Sequence, residues 1–563
     1  MDADTTARPE PAETPKKPFW KPERFSEIGV GRLVRLGLMI VILLGALGAW
    51  WHLTAKTARA QAQREAQVTE ALEQARGLIG LLTPDRTFAE IQQVFQQVDA
   101  LLVLVEELDP GNAEAQRLAV PLCYATGYMD DAVGFFNNLN VFAIAEEMDP
   151  ALFKSARELD KIEALRPEAR SPLLTTNDKH YIRASGLLWA LAQEITAGAE
   201  DNAERARRLC RWMAMHILPD PDGLAADPYI VVLRGYGTPA QTAWTYAELA
   251  RQLGLRARIV APSTAAEEGA EERFLVQVSP AGGTPLLVDP FAGVPVMDVG
   301  SGEPLGRRQV LDNPARLAGL RELPGGEGIP AADRLREVEL LRAVAVESCF
   351  RRVLVFDHLL APLKFQPEIG LHLGGDEQDV LGLWNQALAI RQQMHAEDAA
   401  DRASLDFRYI NPAQPGRTRQ LRGLHLDADE AYAVRTAEMA ARAKDVETEE
   451  AAATLREALE FLAFATASNA LDGGDAGTAG TAAQKYLEEY PDGRWRPLVL
   501  LIQAEAFSAA GEDEKAADIW QALTGPRGLY GALRARGLIT GSASLVTPAE
   551  PSGAAAGDQP EAP

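Results

Sequence analysis

The apolar residues in the middle of the chain recur at helical spacing, at Ala240, Ala243, Trp244, Ala247, Ala250 and Leu253. Thr238 and Gln241 at the start of this pattern form a Thr-x-x-Gln capping box, and Pro239 occupies the first helical position. Gly254 follows the last apolar residue, where a helix commonly ends. The pattern therefore predicts a well-capped amphipathic helix from Pro239 to about Gly254.

An uncharged run near the N-terminus is long enough to cross a bilayer as a helix. It covers residues 36–55, and Trp50 and Trp51 near its end suit a membrane interface. More basic residues precede the run than follow it, so the positive-inside rule puts the N-terminus in the cytoplasm. A cleaved signal peptide with a site at residues 58–60 is the alternative, but the run exceeds a usual signal-peptide core. We predict an uncleaved transmembrane helix over residues 32–55.

Three segments of the central region carry a family resemblance. Residues 254–258 read Gly-Leu-Arg-Ala-Arg, residues 273–278 read Arg-Phe-Leu-Val-Gln-Val and residues 285–290 read Pro-Leu-Leu-Val-Asp-Pro. Together with the preceding helix, these segments resemble the core of the transglutaminase-like domain. The resemblance implies an α+β, papain-like fold in which helices pack on a small antiparallel sheet.

The resemblance also implies where a catalytic cysteine, histidine and aspartate would stand. Counting back from Gly254 by the family spacing places the cysteine at Pro239. The His-x-Trp-x-Glu frame of the family places the histidine at Arg273, and the aspartate is kept as Asp289. Proline has no thiol, and a guanidinium stays protonated and cannot act as a general base. We therefore assign no catalytic residue and regard Pro239, Arg273 and Asp289 as degenerate triad positions.

Two interpretations of the charged pair remain open at this point. Arg273 and Asp289 are expected to face each other near a helix N-terminus as a structural ion pair. Alternatively, Arg273 and the backbone N–H groups beside Thr238 bind a carboxylate or another anion. Paired buried charges are more often structural than functional, which favours the first interpretation.

Composition excludes several other classes of function. The formal net charge of −24 argues against nucleic-acid binding, which needs clustered Lys and Arg. The chain has only three cysteines, an odd and widely spaced set, so no disulfide framework or zinc knuckle is expected. Cys210 lies near several arginines but upstream of the nucleophile helix, and we interpret it as structural. No histidine pair has metal-ligand spacing, and we predict no metal and no cofactor.

Helical repeats are predicted on both sides of the central region. Two sets of residues resemble the pattern of a tetratricopeptide repeat. The first comprises Leu108, Asp109, Pro110, Asn112, Gly127 and Ala132, and the second comprises Tyr490, Ala504, Phe507, Gly511, Ala516 and Trp520. A Gly/Pro-rich linker is expected around residues 323–330, and an amphipathic helix over residues 331–363.

These signals divide the chain into seven parts: a disordered cytoplasmic tail (1–31), the transmembrane helix (32–55), a helical stalk with a tetratricopeptide-like segment (56–170), the transglutaminase-like domain (171–325), a mixed, mainly helical segment (331–440), a second tetratricopeptide-like segment (441–540) and a disordered tail (541–563). The architecture resembles uncharacterised bacterial proteins anchored in the inner membrane, with the bulk of the chain periplasmic. It implies a non-catalytic scaffold that binds envelope or membrane proteins. The alternative is a cysteine-type hydrolase or acyltransferase acting on peptides or cell-envelope proteins.

Overall fold

The computed structural model describes residues 30–82, 88–160, 166–219, 227–262, 273–279, 284–336, 338–341, 346–363, 367–370 and 449–539. The chain divides into two compact units, Met1–Ala71 and Leu72–Pro563. Residues 1–29 of the predicted N-terminal tail and the whole predicted C-terminal tail lie outside the described residues. So do residues 371–440 of the segment predicted to be mainly helical.

The first unit contains most of a single long helix, α1 (Val30–Ile79). Beyond Gly37 this helix is long and apolar enough to cross a membrane, and its apolar side chains, from Leu38 to Leu53, are exposed. By length and composition it fits a membrane anchor or a signal sequence.

Short helices follow in the second unit: α2 (Phe88–Leu108), α3 (Ala113–Thr126), α4 (Met129–Asn137), α5 (Val141–Glu147), α6 (Lys154–Leu159) and α7 (Arg166–Ala169). Helix α3 begins at Asn112, whose side chain accepts hydrogen bonds from the N–H groups of Glu114 and Ala115. It ends at Gly127, which has the left-handed φ of 99° that a C-terminal glycine supplies. Asn112 and Gly127, two residues of the predicted repeat pattern, therefore mark the start and the end of helix α3.

The central region combines helices with a sheet. Its helices are α8 (Thr176–Ile195), α9 (Asn202–His216), α10 (Pro228–Arg234), α11 (Pro239–Gln252), α12 (Arg307–Asp312) and α13 (Ala315–Arg321). Its strands are β1 (Leu218–Pro219), β2 (Tyr236–Gly237), β3 (Arg256–Pro262), β4 (Leu275–Ser279), β5 (Leu286–Asp289), β6 (Val294–Pro295) and β7 (Val338–Leu341). Strands β1 and β2 form a short parallel pair. The other five form an antiparallel sheet in the order β6-β5-β4-β3-β7.

The two faces of this sheet bury different hydrophobic clusters. Val276 and Val288 pack in the cluster that contains the apolar face of α11. Leu275 and Leu287, their neighbours along the strands, pack in a second cluster on the other face. Because successive side chains of a strand point to opposite faces, each strand contributes to both clusters. The sheet is buried on both sides.

The second cluster is shared with the C-terminal helices. These are α15 (Glu449–Asp472), α16 (Ala476–Glu489), α17 (Arg496–Ala509), α18 (Asp513–Ala522) and α19 (Gly525–Ala535). Each packs against the next along the chain, and α17 also packs against α9. Their buried side chains, including Phe464, Trp495 and Leu529, join Leu275 and Leu287 in one core. The helical pattern predicted here is present, while its assignment to tetratricopeptide repeats stays a prediction.

The amphipathic helix predicted over residues 331–363 is wrong in its first part. Val338–Leu341 forms strand β7, which pairs antiparallel with β3, and a helix, α14 (Arg351–Leu359), begins only at Arg351. The apolar spacing of so short a run does not distinguish a strand from a helix. The run becomes a strand because the edge of β3 offers backbone hydrogen bonds to it. Helix α14 then packs against α3 and α5, so this segment returns to the N-terminal helices.

The Gly/Pro-rich residues 323–330 do not form the predicted linker but pack closely against neighbouring segments. A Cβ on Gly325 would lie 2.2 Å from the carbonyl oxygen of Gly525, and one on Gly328 would lie 2.5 Å from Nε of Arg273. Glycine occurs at these positions because the backbone approaches its neighbours too closely for a side chain. The described chain as a whole is mostly helical with a small antiparallel sheet, in agreement with the α+β class.

Candidate functional site

Helix α11 begins with the predicted capping box. The N–H of Thr238 donates to Oε1 of Gln241 at 3.0 Å, and the N–H of Gln241 donates to Oγ1 of Thr238 at 3.3 Å. Pro239 occupies the first helical position, where its missing N–H has no intrahelical partner in any case. The helix start is therefore capped by its own side chains, and the backbone N–H and the hydroxyl oxygen of Thr238 both take part in the cap.

The structure brings Arg273 and Asp289 together as a buried ion pair. Nη1 of Arg273 lies 3.0 Å from Oδ2 of Asp289, and the two side chains are 2% and 0% exposed. The other carboxylate oxygen accepts hydrogen bonds from the N–H groups of Phe291 and Ala292, at 3.1 and 3.0 Å. Both oxygens of the carboxylate are thus satisfied, which is what a buried charge requires.

Strand alternation separates this pair from the start of α11. Asp289 has the same orientation in β5 as Leu287, whose side chain packs with the C-terminal helices. Val288 between them packs in the cluster that contains α11. In the described part of the chain, no hydrogen bond or ion pair joins Pro239 or Thr238 to Arg273 or Asp289. Pro239 therefore takes no part in the contact between Arg273 and Asp289, and the assignment of the three residues to triad positions stays a prediction.

A third charged residue, which sequence reasoning missed, lies beside the ion pair. Arg527 of α19 is 3% exposed and donates through Nη1 to the carbonyl oxygen of Phe291 at 2.5 Å. Its Nη2 donates to the carbonyl oxygens of Ile217 and Met213 at the end of α9. Burial lowers the pKa of Arg527 to about 10, and the charge of Arg273 acts in the same direction while Asp289 opposes it. No local pattern in the sequence marks Arg527, because its partners are backbone carbonyls of distant segments.

The group as a whole carries two buried guanidinium groups and one carboxylate. Nε of Arg273 and Nε of Arg527 are buried without a hydrogen-bond partner in the described residues. Gly328 lies directly against Nε of Arg273, so the unpaired N–H faces packed backbone. These contacts favour the structural ion pair over an anion site built from Arg273 and Thr238. The anion site stays a prediction.

The three cysteines have the surroundings of inert, buried thiols. Cys210 is fully buried on α9 with its Sγ 3.7 Å from the carbonyl oxygen of Asp289. Burial, and next the charge of Asp289, raise the pKa of this thiol well above its usual range. Burial also raises the pKa of Cys123, to about 12, and Cys349 is fully buried. A nucleophilic cysteine needs the reverse, a lowered pKa and access to substrate. Across the described residues, no group of three His, Cys, Asp or Glu side chains is arranged to hold a metal ion.

The comparison with protein families locates the domain. Residues 189–283 match the family model of the transglutaminase-like superfamily. This part of the chain is a transglutaminase-like domain. The match runs from the second half of α8 through α9, α10, α11 and β3 to four residues beyond β4, and it stops before Asp289. Neither the comparison with curated proteins nor that with solved structures gives a match.

The C-terminal helices cover the residues that lead into α11 of the transglutaminase-like domain. The guanidinium of Arg494 lies 4.0 Å from the centre of the Tyr236 ring. Trp495 lies so close to Gly235 that a Cβ there would be 2.9 Å from the indole, and it stacks on Phe464 with ring centres 4.6 Å apart. Gly235 has a φ of 72°, which also favours glycine. The turn at Gly235 and Tyr236 is therefore covered by the C-terminal part of the chain, while Thr238 and Pro239 at the helix start stay partly exposed.

A buried polar network joins the same two regions. Glu505 of α17 is 1% exposed and accepts a hydrogen bond from Nη2 of Arg211 at 2.8 Å. The same carboxylate accepts two from Arg534, at 2.7 and 3.0 Å, and one from the hydroxyl of Tyr530 at 3.1 Å. One carboxylate between two arginines is satisfied only while the three helices stay docked.

Proposed function

We propose that this protein is a membrane-anchored scaffold that binds other proteins, and that its transglutaminase-like domain has no catalytic role. The observation that carries the proposal is the start of α11, where the family places its nucleophile. Pro239 stands there, its helix is capped by Thr238 and Gln241, and Trp495 covers the preceding turn. A site without a nucleophile, at the end of a turn that Trp495 covers, supports binding and structural roles over chemistry.

The second line of support comes from the side chains that stand at the predicted base position and from the nearest candidate thiol. A guanidinium at Arg273 cannot accept a proton at physiological pH, and it is tied to Asp289 at 3.0 Å. The thiol of Cys210 is buried and its pKa is raised, so it does not replace the missing nucleophile. The folding signals of the domain persist while the roles of nucleophile and base are vacant and only the aspartate, Asp289, is kept.

The proposed location follows from the sequence of α1 and its flanks. In the proposal, α1 anchors the chain in a bacterial inner membrane, the basic N-terminal flank stays in the cytoplasm, and residues 72–563 lie in the periplasm. The helices on either side of the transglutaminase-like domain act as tetratricopeptide-like repeats, and their exposed faces bind envelope or membrane proteins.

The test uses the full chain, tagged at its C-terminus, in native membranes. After chemical cross-linking, mass spectrometry identifies bound proteins and measures the yield as the level of the tagged chain is raised. A stoichiometric and saturable partner is expected. Pro239→Ala is the matched control: it removes the residue at the nucleophile position while the cap of Thr238 remains, and we expect the partner and its yield to be unchanged.

The same experiment can support the enzyme instead. A specific covalent change in an envelope protein, which appears only when the wild-type chain is present and disappears in Cys210→Ala or Cys349→Ala, would establish a cysteine-type hydrolase or acyltransferase. That result would refute the proposed non-catalytic role. A titration of the tagged chain without a saturable partner would refute the scaffold.

A further inference from the structure

His216 is buried at the last turn of α9, where the transglutaminase-like domain meets the C-terminal helices. Its side chain is 1% exposed, and its ring stacks on Trp212 of the preceding turn with centres 4.6 Å apart and planes 10° from parallel. Asp472 and Ser468 of α15 face it from across the boundary. No role in the proposed scaffold accounts for an ionisable ring in this position.

Both ring nitrogens of His216 face hydrogen-bond acceptors. Nδ1 lies 2.9 Å from the carbonyl oxygen of Trp212, and Nε2 lies 3.0 Å from Oδ2 of Asp472. A carbonyl oxygen can only accept, so Nδ1 carries a proton, and a carboxylate accepts in the same way from Nε2. A neutral imidazole has one N–H and can satisfy only one of these two contacts. The hydroxyl of Ser468, 3.3 Å from Nε2, can accept from this N–H in the charged ring and can donate to Nε2 in the neutral ring.

The charges around His216 decide whether a second proton is retained. Asp472 of α15 and Glu505 of α17 are the carboxylates at this boundary. Arg211 of α9 and Arg527 of α19 are the like charges, and Arg527 donates to the carbonyl oxygens of Met213 and Ile217 on either side of the histidine. Glu505 is hydrogen-bonded to Arg211 and Arg534, whereas Asp472 lies 3.0 Å from His216 and also acts on the charge of Arg211.

We propose that His216 and Asp472 form a proton-dependent latch that holds the C-terminal helices on the transglutaminase-like domain. While the helices are docked, His216 is an imidazolium held by Asp472 and by the carbonyl of Trp212. When α15 moves away, Asp472 leaves and the ring returns to water, where imidazole is about half protonated near pH 6.5. Burial of the ring opposes its charge. In the proposal the two hydrogen bonds to Asp472 and Trp212 outweigh this cost, and the docked form binds the proton more tightly than the undocked form.

The sign of the pH dependence follows from this difference in proton binding. Where the docked form holds more protons than the undocked form, docking weakens as the pH rises. The latch is fully effective below about pH 6.5, the range in which a free imidazole is also protonated. It is lost as the pH is raised from there through the range in which the docked ring gives up its second proton. Opening would uncover the turn before α11, including Gly235 and Tyr236, which Trp495 and Arg494 cover in the docked form.

Hydrogen exchange on the full chain in detergent micelles tests the latch. Amide exchange of α15 and α17 is measured between pH 6 and pH 9, corrected for the intrinsic base catalysis of exchange, and compared with α3 as an internal reference. We expect protection of α15 to fall about tenfold over this range, the size of one hydrogen bond to a charged group. Protection of α3 is expected to stay constant after correction.

Two variants separate the latch from general stability. His216→Gln keeps a donor for Asp472 but cannot be charged, so its protection of α15 should be lower at pH 6 and should no longer depend on pH. Asp472→Asn should also remove the pH dependence while leaving the ring in place. His358→Gln, at an exposed position of α14, is the matched control and should behave as wild type.

The outcomes that overturn the proposal are distinct. Protection of α15 in the wild type that does not change with pH would refute the latch, as would a pH dependence that survives in His216→Gln. If His216→Gln fails to fold, Asp472→Asn alone still decides, because an unchanged pH dependence in that variant excludes Asp472 as the partner. None of these results depends on whether the protein is a scaffold or an enzyme.

Discussion

Removing the carboxylate of the Arg273, Asp289 and Arg527 group should destabilise the protein more than removing one of its arginines. Asp289→Asn leaves two buried guanidinium groups without a counter-charge, and breaking a buried pair in this way costs about 3–5 kcal/mol. Arg273→Met leaves Asp289 with the N–H groups of Phe291 and Ala292 and with Arg527 nearby.

The smaller effect of Arg273→Met has two parts. It removes one charge-assisted hydrogen bond of 3.0 Å, worth about 1.5–3 kcal/mol. It also removes the repulsion between Arg273 and Arg527, which opposes this loss. We expect a net cost of about 1–2 kcal/mol, within the usual range for single substitutions. The double variant should cost less than the sum of the two, because the neutral amide introduced by Asp289→Asn then faces no charge from residue 273.

Equilibrium unfolding by urea of the full chain in micelles, followed by tryptophan fluorescence, measures these differences as shifts of the midpoint at constant slope. Asp298→Asn is the matched control, because Asp298 pairs with Arg316 at 2.7 Å at a partly exposed position. Its change should be the smallest of the series, since water replaces the lost partner. A larger loss of stability for Arg273→Met than for Asp289→Asn would refute the excess of buried positive charge in this group. Strictly additive free-energy changes in the double variant would refute the contact between Arg273 and Asp289.

Three further predictions concern other parts of the site. The cysteine thiols should not react with a thiol reagent at pH 8 in the folded protein, because they are buried and the pKa of Cys123 is about 12, whereas all should react in denaturant. Thr238→Ala should cost about 1 kcal/mol in the same urea assay, and Thr238→Ser should retain the cap. Gly328→Ala should cost about 1–3 kcal/mol through contact with Arg273, while Gly300→Ala, at an open turn, should have little effect. Rapid labelling of a thiol in the folded protein would contradict the first expectation. Equal losses of stability for Thr238→Ala and Thr238→Ser, or for Gly328→Ala and Gly300→Ala, would contradict the other two.

Much of the fold could be predicted from local sequence patterns. The capping box at Thr238, the glycine after α11 and the strand-like run at residues 285–290 all specify their own backbone geometry through neighbouring residues. The transglutaminase-like domain predicted from these segments is confirmed at residues 189–283. The uncharged run in α1 is likewise evident from composition alone.

The prediction failed where the partner of a segment is distant in the chain. The run at residues 338–341 is compatible with helix or strand, and the free edge of β3 makes it a strand. The glycines at residues 325–328 suggested a linker because the sequence does not reveal that Arg273 and α19 press against them. In both cases the deciding contact comes from tertiary packing.

The sequence by itself determined which side chains stand at the positions predicted to be catalytic. Proline at residue 239 and arginine at residue 273 cannot act as nucleophile and base in any conformation, since the limitation lies in the side chains themselves. Only the tertiary structure decided the surroundings of these residues. The pairing of Arg273 with Asp289, the neighbouring charge of Arg527 and the contact of His216 with Asp472 each join segments far apart in the chain. Such contacts depend on burial and distance in space, and neither is encoded in the spacing of residues along the sequence.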